Sequence, residues 1–60
     1  MKNNTYAINM TALDKEGKLI DKDRKLFRAP NLAVALENAL DYANWNLGWL
    51  SHSIIVEEEK

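Results

Sequence analysis

The residues with most chemical potential in this chain lie in one stretch, NWNLGWLSHS, at positions 44–53. It holds both tryptophans, Trp45 and Trp49, and the sole histidine, His52. An imidazole beside two indoles could line a ligand pocket with a titrating group. Nucleophilic catalysis would also need a serine within reach of that imidazole and an acid to orient it. Ser51 and Ser53 are the sequence neighbours of His52, so on a strand they point to the opposite face. A local Ser–His pair is therefore not expected, and His52 reads as a partly buried, satisfied histidine on the helix-facing side.

A second group, Asp14, Glu16, Asp21 and Asp23, surrounds the segment DKEGKLIDKD. A calcium loop of the EF-hand type needs alternate-residue ligands before its glycine and a terminal bidentate glutamate, and neither is present. Lysines interleave the carboxylates, so the group reads as a solvated, charge-balanced hairpin. Gly17 and Gly48 are the only glycines, too few for a phosphate-cradling loop. Absence of cysteine removes disulfides and thiolate ligands, and one histidine would leave a zinc ion dependent on carboxylates. No cofactor and no metal site is expected. No acid–base or nucleophile constellation can be assembled, so a non-enzymatic role is expected.

Sixty residues allow one domain. Such a chain buries only about 60% of the surface its unfolded form exposes, and small domains lean on disulfides, metals or oligomerisation. With the first two removed, a homodimer is the expected stabilising device. Eight basic against nine acidic residues give a net charge of −1, unlike the basic footprint of a phosphate-backbone binder. Nucleic acid is thus a less favoured partner. MKNNTYAINM lacks the apolar core of a secretory signal, and no apolar run approaches the roughly 20 residues of a membrane span. A cytoplasmic protein without membrane contact is expected.

These residues must be positioned by elements legible in the pattern. Tyr6, Ile8, Met10 and Ala12 alternate with Thr5, Ala7, Asn9 and Thr11, the period of a half-buried strand. Asp14 and Gly17 then suit a type I turn closed by a left-handed glycine. A second strand follows from Lys18 to Arg28. Pairing Ala12 with Ile20 puts Met10 opposite Lys22, Ile8 opposite Arg24 and Tyr6 opposite Leu26. Two cations on that face suit an edge strand or a bulge near residues 21–23. Pro30 stops the strand, and Asn31 can cap a helix whose apolar stripe is Leu32, Leu36, Ala39, Leu40, Ala43 and Leu47. Gly48 can end it. WLSHSIIVEE alternates again as a third strand.

The expected fold is α+β, strand–strand–helix–strand, with a three-stranded sheet in order 2-1-3 and one helix on one face. The crossover should be right-handed. Residues 1–4 and 57–60 are expected to fray. The terminal EEEK reads as a solubilising tail, with phosphate mimicry toward a basic partner as its competing use.

The other sheet face then has no cover. In this register it carries Thr5, Ala7, Leu13, Leu19, Phe27, Trp49 and Ile55 beside Asn9, Thr11, Ser51 and Ser53. Large apolar side chains gathered on an exposed face mark an interface. Trp45 falls on the outer side of the helix in its last turn, either capping the open end of the core or serving as an aromatic anchor. The interface candidates are therefore Trp49, Phe27, Ile55, Leu13, Leu19 and Trp45.

Size and element order over the whole chain resemble those of small proteins encoded by bacteriophages and mobile elements. Many of these bind and block a host protein, so the resemblance implies an inhibitor-like protein-binding module. The rival expectation is single-stranded nucleic-acid binding on the open sheet. Phe27 and Trp49 would stack bases while Lys22, Lys25 and Arg28 meet the backbone.

Overall fold

A computed structural model describes residues 3–59. Its elements are β1 (Asn4–Leu13), β2 (Leu19–Ala29), α1 (Leu32–Trp45), a short 3₁₀ turn (Ser51–Ser53) and β3 (Ile54–Glu58). The strands pair antiparallel in the order β2-β1-β3, and α1 packs on one face of the sheet. The fold is α+β, as the sequence pattern predicts.

The hairpin between β1 and β2 closes through Asp14. Its carbonyl accepts from the Gly17 N–H at 3.0 Å, and its Oδ1 accepts from the N–H groups of Glu16 and Lys18. Gly17 sits at φ +82°, a conformation that costs a residue with a Cβ about 1 kcal/mol. At the helix start, the Asn31 side chain accepts from the Val34 N–H at 3.0 Å, satisfying one of the free donors of the first turn.

Ile8 and Met10 of β1 are fully buried against Ala35, Ala39 and Ala43 of α1. The expected stripe is corrected here. The three alanines, spaced four apart, form its centre, while Leu32, Leu36 and Leu47 flank it half-buried. An alanine ridge lets helix and sheet approach closely, and the leucines fill the sides.

The expected register of β2 is also corrected. β1 and β2 shift register between Ala12 and Leu13, so that Ala12 pairs with Asp21 but Leu13 with Leu19. Ile20 is the extra residue. The bulge lies one residue nearer the turn than the expected segment, and it exchanges the two faces of everything beyond it. Phe27 now pairs with Tyr6 and Lys25 with Ile8, which moves Lys22, Arg24 and Leu26 to the open face.

The third strand begins later than expected. Residues 49–53 do not extend β3, because Ile54 already pairs with Ala12 near the end of β1. The Ser53 N–H instead donates to the Leu50 carbonyl at 2.9 Å. On the C-terminal side, where fraying is expected, Glu57 and Glu58 belong to β3, and the Glu59 N–H donates to the Ala7 carbonyl. At the other end, β1 already includes Asn4. Residues 1, 2 and 60 lie outside the described residues.

Candidate interaction surface

With α1 covering the face that holds Ile8 and Met10, the opposite face is assembled from odd-numbered residues of β1 and their partners. Its rows are Lys22–Thr11–Ile55, Arg24–Asn9–Glu57 and Leu26–Ala7, with Arg28 beside Thr5. Toward the hairpin the face ends on Leu19 and Leu13. Since Glu59 bonds to Ala7 two residues beyond Glu57, it continues the β3 side of the same face.

Two gradients cross this face. Along the strands, Leu13, Leu19 and Ile55 gather toward the hairpin, with Lys22 at the β2 end of the Ile55 row, while Arg24, Arg28, Glu57 and Glu59 lie farther from it beside Leu26. Across the strands, the β2 side presents Lys22, Arg24 and Arg28, and the β3 side presents Glu57 and Glu59. Arg24 reaches across β1 to pair with Glu59. Leu19, Leu26 and Ile55 are 56%, 57% and 49% exposed. Isolated apolar residues on a surface are ordinary; Leu13, Leu19 and Ile55 adjoin at the hairpin end of one uncovered sheet face, while Leu26 stands apart beyond Lys22 and Arg24.

The outer edge of β2 is less available than its face. The ladder with β3 takes the odd residues of β1, so the even residues face β2 and meet its odd ones. The even residues of β2 therefore direct their amides outward. Two of those amides are already bonded within the strand: Lys22 N–H to Asp21 Oδ1 and Arg24 N–H to Asp23 Oδ1, both at 2.8 Å. Such capping discourages strand addition at an edge.

A separate cleft of about 270 Å³ opens at the hairpin end. Ile20 and Leu50 line it with Trp49, Leu13, Ala12 and His52. Its volume is below the roughly 300–1,000 Å³ of small-molecule pockets, a size suited to one inserted side chain. His52 is exposed, not turned toward the helix, because it sits in the 3₁₀ turn and escapes the alternation of a strand. Among the described residues, no three His, Cys, Asp or Glu side chains gather as a metal-binding group.

The interface candidates separate. Leu13, Leu19 and Ile55 stand on the open face as expected. Phe27 does not: the bulge places it on the helix face, edge-on to Tyr42 with centroids 5.9 Å apart. Lys25 lies on the same side, its Nζ 5.0 Å from the Tyr42 ring centroid. Trp49 is half-buried and packs against the core from the loop after α1, not from a strand on the open face. Trp45 is 81% exposed, so it does not cap the core. Leu26, which the expected register assigned to the helix side, is the open-face residue that sequence reasoning missed. The adjacent apolar pairs Leu19–Ile20 and Leu26–Phe27 were the available signal, since each offers an apolar side chain to either register.

No described helix is long and apolar enough to cross a membrane. No protein-family model, curated protein or solved structure matches the chain.

Proposed function

We propose that this protein is a non-catalytic interaction module that works as a homodimer, closing its uncovered sheet face against a second copy. The observation that carries this reading is the cluster of Leu13, Leu19 and Ile55 at the hairpin end, with Leu26 farther along β2, on a face that α1 leaves bare. Packing α1 on one face of the sheet leaves Leu19, Leu26 and Ile55 in water on the other, and a second layer offsets that cost.

A different protein would then meet the outer side of α1. Glu37, Asp41 and Trp45 are all exposed there at a spacing of four residues, one stripe along the helix. The stripe is acidic with an aromatic end, and α1 contains no basic residue. A basic host surface with a recess for an indole is the matching partner, in keeping with inhibitor-like small phage proteins in the cytoplasm. The nucleic-acid reading has less support. No described aromatic side chain stands on the open face to stack a base, and Glu57 and Glu59 oppose the cationic row.

Light scattering across a broad concentration series tests the dimer. The chain should scatter as a dimer, and Ile55→Glu should reduce it to a monomer with unchanged circular dichroism. A wild-type chain that is monomeric throughout overturns the proposal.

A further inference from the structure

We infer that the second copy stacks on the open face with its strands parallel, about a two-fold axis running along β1. This rests on the self-association proposed above and adds its geometry. Two sheets face to face can be related by a two-fold axis in the plane between them in two principal ways. An axis along the strands keeps the hairpin ends together and lays β2 of one copy over β3 of the other. An axis across the strands reverses the ends and lays β2 over β2.

The two gradients of the face choose between these. With the axis along β1, the hairpin ends meet, Leu13 facing its own counterpart, while Ile55 lies over the aliphatic stem of Lys22 and Leu26 over that of Glu59. The cationic β2 side meets the anionic β3 side, so that Arg24 of each copy stands over Glu57 of the other. Both residues occupy the Asn9 row, and rotation about β1 leaves rows at the same height. Arg24 already holds Glu59 of its own chain, which makes a three-member charge cluster at each end of the row. With the axis across the strands, Leu13 and Leu19 would face the charged end, and cationic β2 strands would overlie each other. Like charges placed so cost binding and suppress that arrangement. Aligned sheets cross at about 30° in such packings, which leaves the pairing of halves and sides intact.

The axis also predicts which residues meet themselves. Every open-face residue of β1 lies on it, Thr5 near one end and Thr11 near the other. Because the chain has no cysteine, Thr5→Cys and Thr11→Cys can be treated separately with a short thiol-reactive cross-linker without background. Parallel stacking joins both variants into covalent dimers. An antiparallel stack has one crossing point on β1 and joins at most one of them.

A charge exchange tests the pairing independently. Arg24→Glu and Glu57→Arg should each weaken self-association at least about tenfold. Mixing the two variants should restore a dimer. In the mixed dimer the two substituted side chains face each other with opposite charges at one contact, and the native Arg24–Glu57 pair remains at the other. Covalent dimers at both cysteine positions together with rescue by mixing support the inference. A wild-type dimer in which only one or neither cysteine position joins, or a mixture that stays monomeric, overturns the parallel geometry and leaves self-association standing. A monomeric wild type overturns both.

Discussion

The side-chain amide of Asn44 donates to the carbonyl of Trp49 at 2.9 Å, and the Trp49 N–H donates to the Ala43 carbonyl at 3.1 Å. The backbone of Trp49 is thus tied on both sides to the last turn of α1. Gly48, at φ +72°, makes the reversal that allows it. Two tryptophans four residues apart consequently have different surroundings: Trp49 is fixed against the core while Trp45 stands in solvent.

Removing the tether tests that relationship. Asn44→Ala deletes a part-buried side-chain hydrogen bond and should lower stability by about 1 kcal/mol. Urea unfolding should show a lower midpoint at an unchanged slope, and Trp49 should become easier to quench.

The two tryptophans should separate in a paired substitution. Trp49→Ala removes a half-buried side chain packed on the core and should cost roughly 1.5–3 kcal/mol. Trp45→Ala should change stability by no more than about 0.5 kcal/mol and leave the dimer intact. Thermal unfolding of the two variants side by side checks both. Equal losses would contradict the assignment.

The alanine ridge makes a third prediction. Ala39 is fully buried between Ala35 and Ala43, beneath Ile8 and Met10. Ala39→Leu must push α1 from the sheet and should destabilise by about 1–3 kcal/mol despite its gain in hydrophobicity. Ala33→Leu on the exposed side should be near neutral. Urea midpoints of the pair distinguish close packing from simple hydrophobicity.

Much of the fold was legible because several local signals agreed. The alternation of Tyr6 to Ala12, the turn chemistry of Asp14 and Gly17, Pro30, and the cap at Asn31 each pointed to the same element order. The bulge was not legible. With apolar pairs at Leu19–Ile20 and Leu26–Phe27, both registers present an acceptable face, and the choice is made by tertiary contact, Phe27 against Tyr42. The start of β3 was misread for a related reason. Ser51 and Ser53 mimic the polar half of an alternating strand, yet they lie before Ile54, where the pairing with β1 begins at Ala12. Of the site, Leu13, Leu19 and Ile55 were found, because their strands keep or regain the expected alternation. Leu26 and Phe27 exchanged places with the register.

The most direct test of the central claim is nuclear magnetic resonance on a mixture of isotope-labelled and unlabelled copies, filtered for intermolecular contacts. A sheet-face homodimer predicts intermolecular contacts at the methyl groups of Leu13, Leu26 and Ile55, and none at the Trp45 indole. Contacts confined to the outer face of α1, or no intermolecular contacts at all at high concentration, would contradict it.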